Sequence, residues 1–149
     1  MKKILFAASE AVPFMKTGGL ADVTGSLPKY FDKKNYDVRV ILPKYVCMEE
    51  RWKGQLHFLC HFYVNLSWRK QYVGIFETTY DGITYYLVDN EFYFAGNAPY
   101  NNIYEDVEKF AFFSKAVLEA LPYLDFCPDI IHCHDWQTGL IPVFLRTLY

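Results

Sequence analysis

The chain has 149 residues and a formal net charge of −2, from 15 lysines and arginines against 17 aspartates and glutamates. This length fits one domain, and 52% hydrophobic residues supply a core that needs no disulfides. The balanced charge argues against a nucleic-acid partner, and because no apolar stretch reaches the ~20 residues of a membrane span, we expect a soluble, cytoplasmic domain with no membrane partner.

The first part of the chain predicts a strand, a helix and a second strand. A continuous apolar run over residues 3–8 is typical of a strand buried on both faces. Apolar residues then recur at helical spacing, and Pro28 predicts a kink or an early end of this helix. Residues 37–42 form a second apolar run, which completes a predicted βαβ unit. The predicted apolar face of the helix comprises Leu20, Val23, Leu27, Tyr30 and Phe31.

The middle of the chain changes to β-rich segments at residues 57–66, 71–80 and 83–88. Asp81-Gly82, between the last two, is a strong signal for a two-residue hairpin turn. We therefore expect antiparallel hairpin strands inserted into a mostly parallel sheet.

The last part predicts a long loop followed by helix, strand and helix. The polar loop at 90–102 carries several aromatic residues, and Tyr100 with its neighbouring amides suits sugar hydroxyls, although a surface Ω-loop fits equally well. Pro122 ends the helix that follows, and 129–133 is a short strand. A final helix from 139 to 149 carries no end signal, so we expect the sequence to be part of a longer chain. The helix that follows the polar loop has a predicted apolar face of Ile103, Val107, Phe110, Ala111, Val117, Leu118 and Leu121.

These elements predict an α/β fold, with a Rossmann-like, mostly parallel sheet flanked by helices and a β-hairpin insertion. The cysteines show no CxxC spacing, and most lie within apolar runs. We interpret them as small buried hydrophobic residues. They are Cys47, Cys60, Cys127 and Cys133.

A glycine-rich segment, KTGGL, lies where the first strand ends and the first helix begins, a common ligand site in doubly wound sheets. Gly18 and Gly19 would let the backbone approach an anion, helix-start N–H groups would point at it, and Lys16 adds a positive charge. A diphosphate fits this description. Without a recognised phosphate-loop spacing, an ordinary helix start with a solvated lysine fits equally well. Glu10 and Asp22 flank the segment. Each could orient Lys16 or accept a hydrogen bond from a hydroxyl, or could simply be a solvated surface carboxylate.

A second candidate segment, HDWQ, follows the last predicted strand. Asp135 could accept hydrogen bonds from sugar hydroxyls or stabilise positive charge, and Trp136 could stack on a sugar ring. The structural alternative is a buried Trp136 that anchors the loop and an Asp135 that caps the next helix. His132 and His134 share one side of the strand, but no further cluster supports a metal site, so we predict no metal and interpret His132 as a core histidine.

The segments KTGGLADV, preceded by Ser9-Glu10, and PDIIHCHDW closely resemble the N-terminal domain of bacterial glycogen synthase and plant starch synthase. Their order and spacing also match, and the similarity runs over essentially the whole chain. The resemblance implies the N-terminal part of a GT-B fold, in which two Rossmann-like domains face each other across a cleft. It also implies retaining transfer of glucose from ADP-glucose to the non-reducing end of an α-1,4-glucan, with no cofactor.

The resemblance further implies that a C-terminal domain beyond residue 149 completes the cleft, so the present domain alone is expected to be inactive. Lys16 and the backbone of the two glycines would contact the donor diphosphate, and Asp135 would lie near the transferred glucose and the acceptor. A non-catalytic carbohydrate- or nucleotide-binding module, or a GT-B transferase that uses another sugar nucleotide, remains an alternative. We expect Asp135 to be catalytic and the substrates to be bound by Lys16, Gly18, Gly19, Asp22, Tyr100, His134 and Trp136.

Overall fold

The chain forms a mixed sheet with helices on both faces, and a computed structural model describes all of residues 1–149. The strands are β1 (Lys2–Ala7), β2 (Tyr36–Pro43), β3 (His57–Leu66), β4 (Arg69–Tyr80), β5 (Ile83–Asp89) and β6 (Ile130–Cys133). The helices are α1 (Gly19–Ser26), α2 (Glu50–Lys53), α3 (Ile103–Ala120) and α4 (Leu140–Leu148). Short 3₁₀ turns occupy Leu27–Tyr30, Leu121–Tyr123 and Trp136–Thr138.

The order of the six strands is β3-β4-β5-β2-β1-β6. β1 pairs in parallel with β2 and β6, and β2 pairs in parallel with β5, whereas β3 and β4 extend the sheet antiparallel. The Rossmann-like α/β fold with a hairpin insertion is therefore confirmed. The connection through α1 leads from β1 to one side of it, and the connection through α3 returns to β6 on the other side. The order in which strands are added therefore reverses at β1. Such a switch point is where open α/β sheets bind ligands.

The hairpin turn at Asp81-Gly82 is confirmed. Both residues have positive φ, 52° and 80°, as a type I′ turn requires, and Tyr80 pairs with Ile83 across it. This turn sets the register of β4 on β5 and so extends the sheet away from the switch point.

The two faces of the sheet bury separate hydrophobic clusters. Leu5, Ile41 and Val88 face α3, where Phe112 and Phe113 are fully buried. On the other face, side chains of β1, β2 and β5 pack against the segment between β1 and α1 and against Met48. Each large apolar side chain buried in this way contributes about 1.5–3 kcal/mol of transfer free energy. On this second face lie Ile4, Phe6, Val38, Val40, Leu42, Tyr85, Leu87, Ala11 and Phe14.

The apolar face predicted for the first helix is wrong for three of its five residues, although Pro28 does bring an early end. Val23, Leu27 and Tyr30 are exposed, and the helix instead buries small residues, Ala21, Thr24 and Gly25. The reason is close packing, because a Cβ on Gly25 would lie 2.3 Å from Val12 Cγ2 and 2.7 Å from its carbonyl oxygen. The α-helix ends at Ser26, and Pro28 lies in the 3₁₀ turn that follows.

The predicted face of α3 is correct only in its later turns. Phe110, Val117 and Leu118 are buried, but Ile103 and Val107 are more than half exposed. The first turns bury Asp106 and Lys109 instead, and each is at most 5% exposed. These charged residues are buried because they pair with each other and with the preceding loop.

Smaller differences concern single residues. Cys127 is exposed and the other cysteines are only partly buried, so the prediction of buried cysteines is wrong for Cys127. His132 lies on β6, which is an edge strand of this sheet, and is exposed, so it is not a core histidine. The four-residue helix α2 was not predicted. None of the helices has the length and hydropathy that crossing a membrane requires.

Candidate functional site

The predicted site residues lie on three loops that follow parallel strands. Lys16, Gly18 and Gly19 follow β1, Tyr100 follows β5, and Asp135 follows β6. Because these strands are parallel, their carboxyl ends lie at one edge of the sheet. The loops after β1 and β6 flank the switch point directly.

Tyr100 connects the loops. Its hydroxyl lies 2.6 Å from Ser9 Oγ at the end of β1. Burial raises the pKa of Tyr100, and the negative charges of Glu10 and Asp135 raise it further, while the adjacent Ser9 and Thr17 side chains oppose this shift. The contact with Ser9 joins the loop after β5 to the end of β1, and the Tyr100 ring packs on Phe110, which in turn contacts Trp136 on the loop after β6. The structure therefore brings the three loops together.

Glu10 holds the segment that leads to the two glycines. It is 3% exposed, and its Oε2 accepts hydrogen bonds from both the backbone N–H and the hydroxyl of Thr17, each at 2.7 Å. The solvated-carboxylate interpretation of Glu10 is therefore wrong. Its contacts fix the residue directly before Gly18, rather than orienting Lys16 itself.

Lys16 pairs with Asp22 at the surface. Lys16 Nζ lies 2.9 Å from Asp22 Oδ2, and the two side chains are 53% and 54% exposed. Asp22 therefore orients Lys16, as one of the two interpretations of this carboxylate requires. An ion pair this exposed contributes little free energy, so an anionic ligand can draw the ammonium group away from Asp22.

Neither packing nor backbone conformation explains why residues 18 and 19 are glycines. Gly18 has an extended backbone with φ −161°, which any residue can adopt. A Cβ added at Gly18 or Gly19 would meet no atom within 4 Å. The open space lies at the N-terminus of α1, where free N–H groups favour an anion.

The contrast between two glycines of α1 is testable. We expect Gly25→Ala to destabilise the domain by about 1–3 kcal/mol, because the new methyl group must displace the backbone of Val12. Gly19→Ala, which meets nothing, serves as the matched control and is expected to leave the melting temperature unchanged or slightly raised. Thermal unfolding followed by circular dichroism compares them, and equal melting temperatures would contradict this packing.

Asp135 has a strained backbone. Its φ of 64° and ψ of −175° fall in a region that residues other than glycine rarely adopt, at a cost of about 1–3 kcal/mol. Its Oδ1 accepts a hydrogen bond from the Trp136 N–H at 2.8 Å, so Asp135 does cap the turn that follows. The buried Thr138 holds the loop, because its Oγ1 accepts from His134 N at 2.7 Å and donates to His134 O at 2.9 Å. The exposed carboxylate is thereby kept at a defined place beside the switch point.

Trp136 is half exposed. Its ring meets Phe110 edge to face at 5.6 Å, and Phe110 in turn lies 5.9 Å from the Tyr100 ring. The alternative of a buried tryptophan that anchors the loop is therefore wrong, since the side chain is 48% exposed. Tyr100, Phe110 and Trp136 instead form an aromatic row that joins the loop after β5 to the loop after β6.

His134 packs into the sheet. Its ring lies 5.0 Å from Phe6 and 4.5 Å from His132, and its buried Nε2 has no hydrogen-bond partner. Burial, with a smaller contribution from the charge of His132, lowers the pKa of His134 to about 4, so the imidazole is neutral near pH 7. No group of three or more His, Cys, Asp or Glu side chains in the chain is arranged to hold a metal ion.

The buried His134 predicts an acid-sensitive fold. Its pKa of about 4 lies below the ordinary value of 6.5, so the unfolded chain binds more protons between these limits and stability falls as the pH drops through this window. We expect the loss of melting temperature between pH 7 and pH 5 to be smaller in His134→Gln than in the wild type. His57→Gln, at an exposed histidine of β3, is the control and should follow the wild type. A wild-type pH dependence in His134→Gln would contradict this assignment.

A cleft of about 570 Å³ lies beside the N-terminal half of α3, and none of the predicted site residues lines it. Arg69 and Glu108 form an ion pair in its wall, and Phe92 and Tyr104 expose their rings. The chemical groups singled out by the sequence lie beside the switch point instead.

The strand order and the loops that converge beside β1 define a doubly wound α/β domain, with the candidate site at the carboxyl ends of the strands. Residues 3–149 match the starch synthase catalytic domain family, and the chain belongs to this family. The family resemblance predicted from the sequence is therefore confirmed.

Solved and curated relatives agree with this assignment. The chain is 70% identical over 146 residues to the glycogen synthase of Lachnoclostridium phytofermentans and 64% identical to that of Lachnospira eligens. Each match covers 98% of this chain and 30% of the relative, so the chain spans about 30% of the length of these proteins. The structure of the catalytic domain of starch synthase IV from Arabidopsis thaliana, bound to ADP and acarbose, superimposes with a TM-score of 0.80 at 29% identity over 99% of this chain and 30% of that one. The fold is thus part of a GT-B architecture.

Several residues that build the site were not singled out by sequence reasoning. Ser9, Thr17 and Thr138 hold the loops through hydrogen bonds, and Asp106 and Lys109 hold the loop after β5. For Ser9, Thr17 and Thr138 the only signal was their position beside or within the predicted motifs. Asp106 and Lys109 lie within the helix predicted after residue 102, where nothing distinguished them. Ser and Thr are common in loops, so that position alone does not distinguish a loop anchor from a solvated residue.

Proposed function

We propose that this chain forms one wall of the active site of a glycogen synthase, which transfers glucose from ADP-glucose to the non-reducing end of an α-1,4-glucan with retention. The observation that carries the proposal is the open backbone at Gly18 and Gly19, next to a weakly held Lys16, across the switch point from Asp135. The high identity to curated glycogen synthases supports the same assignment.

The donor diphosphate is the leaving group in this reaction, and it gains negative charge as the bond to the glucose C1 breaks. Lys16 Nζ and the N–H groups at the start of α1 stabilise that charge. Asp22 gives up Lys16 to the diphosphate, which carries more charge than a single carboxylate. These groups act by electrostatic stabilisation.

Asp135 acts on the sugar. Positive charge develops at C1 as the donor bond breaks, and the carboxylate stabilises it and accepts hydrogen bonds from sugar hydroxyls. No protein nucleophile is assigned. The incoming 4-hydroxyl forms the new bond to C1 on the face from which the diphosphate leaves, and its proton passes to a diphosphate oxygen. Positioning of the two substrates is then the main contribution of the protein.

The experiment is a glucosyl-transfer assay with a polypeptide of the relatives' full length that carries this domain. ADP-glucose and UDP-glucose are compared with glycogen as acceptor and no added metal. Transfer from ADP-glucose is expected, and residues 1–149 alone are expected to transfer none, because a second wall of the cleft is needed. Preference for UDP-glucose would assign another donor. Absence of transfer from either by a folded chain would favour a non-catalytic binding module.

A further inference from the structure

Two buried charged residues of α3 hold the peptide on both sides of Tyr100. Lys109 Nζ donates to Pro99 O and to Asn101 Oδ1, each at 2.8 Å. Both oxygens of Asp106 accept from the Asn101 N–H at 3.1 Å. The residues directly before and after Tyr100 are therefore fixed by side chains that lie one helical turn apart.

Every N–H donor of the Lys109 ammonium group has an acceptor. Lys109 Nζ also lies 3.3 Å from Asp106 Oδ1, so its three N–H donors face three acceptors. Side-chain exposure is 4% for Lys109 and 8% for Asp106. The start of the same loop is fixed separately, because the Asn90 amide donates to Tyr72 O at 2.7 Å and its Oδ1 accepts from Tyr93 N.

Stability alone does not account for a buried pair at these positions. Removing two charges from water costs several kcal/mol each, and apolar residues of similar volume often stabilise such sites equally well. What apolar side chains could not do is hold the carbonyl of Pro99 and the amide of Asn101 in one place. The pair therefore contributes a defined position for the loop.

The position that it defines is that of the Tyr100 hydroxyl. With its neighbours held by α3, the Tyr100 hydroxyl reaches Ser9 Oγ at 2.6 Å. Its ring contacts Phe110, which contacts Trp136, the residue after Asp135. A displacement of about 1 Å at a reacting group can lower a rate about a hundredfold.

We propose that Asp106 and Lys109 are a positioning pair, which fixes Tyr100 against the substrate-facing edge of the sheet and acts on the reaction only through that residue. The inference rests on the proposed function, because it requires Tyr100 to face a substrate. It assigns a role to two charged residues that are not part of the apolar face predicted for α3.

The test replaces the pair with apolar residues, Asp106→Leu with Lys109→Met, in the polypeptide of the relatives' full length. Lys115→Met is the matched control, since Lys115 lies on the same helix and donates to Asn65 O, remote from Tyr100. Hydrogen exchange of a peptide covering residues 97–102, kcat for transfer from ADP-glucose, and melting temperature are measured for each. In the double variant we expect exchange at least about tenfold faster and kcat at least about tenfold lower, with KM for ADP-glucose changed less than kcat. The Lys115→Met control should equal the wild type in all three measurements.

Each outcome decides the inference. Unchanged exchange overturns the claim that the pair holds the loop, and faster exchange with unchanged kcat overturns the link to the reaction. If the double variant does not fold, Asn101→Ala replaces it, because this change removes one acceptor of Lys109. Exchange must then be faster and kcat lower than in the wild type, or the inference is wrong. A wild-type chain that transfers no glucose overturns the proposed function and the catalytic role, while the exchange rates separately decide whether the pair holds the loop.

Discussion

Replacing Asp135 by Asn is expected to lower kcat for transfer from ADP-glucose by about 10²–10³-fold, with little change in the dissociation constant for ADP. The variant keeps the size of the side chain and an oxygen that can accept from Trp136 N, so the cap and the strained backbone are retained. Only the negative charge is lost, and in the proposed reaction this charge stabilises the positive charge that develops on the sugar. Initial-rate kinetics and ADP titration calorimetry on the full-length chain measure the two quantities.

The matched control is Asp125→Asn, which removes an exposed carboxylate from the segment that leads into β6. It should leave both quantities unchanged. Equal losses of ADP affinity and of kcat/KM in Asp135→Asn, with kcat intact, would indicate a binding role for this residue and contradict a catalytic one.

Replacing Lys16 by Met is expected to weaken ADP binding by about 10–150-fold. This range corresponds to the free energy of about 1.5–3 kcal/mol that a hydrogen bond to a charged group usually contributes. The melting temperature should change little, because the ion pair with Asp22 is half exposed on both sides. The affinity of the wild type should fall with rising salt, and that of the variant should fall less. Titration calorimetry at two salt concentrations measures both effects.

Lys29→Met is the control for charge alone. Lys29 is likewise an exposed lysine in an ion pair, with Asp81 at 2.7 Å, but it lies at the hairpin turn away from the switch point. ADP affinity should equal that of the wild type. If the Lys16 and Lys29 variants bind ADP equally well, the anion site does not lie at the start of α1.

The sheet was predictable because its signals are local. Continuous apolar runs indicated the buried parallel strands, and Asp81-Gly82 indicated the turn that places β4 beside β5. Parallel strands joined through helices then imply that the loops after β1 and β6 lie at one edge of the sheet. That inference located both candidate motifs correctly relative to the strands.

The helix faces were less predictable because they depend on what packs against each helix. α1 approaches Val12 so closely that the small residues Ala21, Thr24 and Gly25 form its buried face, and Val23 remains exposed. α3 buries Asp106 and Lys109 because loop residues supply their partners. Hydrophobic periodicity assumes that the buried side is apolar, and it fails where a polar network replaces that packing.

The candidate site was predictable in its residue types but not in its supports. Lys16 and the two glycines have the exposure and open space that an anion site needs. The burial of Glu10 and the contact between Tyr100 and Ser9 depend on how separate segments of the chain pack together. Acidic residues are usually exposed, so composition alone favoured the wrong environment for Glu10.

The most direct test of the account is a crystal structure of the full-length polypeptide with ADP bound. We expect the diphosphate at the start of α1, within hydrogen-bond distance of the Gly18 or Gly19 N–H and of Lys16 Nζ, with the contact between Lys16 and Asp22 released. A diphosphate bound elsewhere, with Lys16 still paired to Asp22 and the space beside the glycines filled only by water, would contradict it.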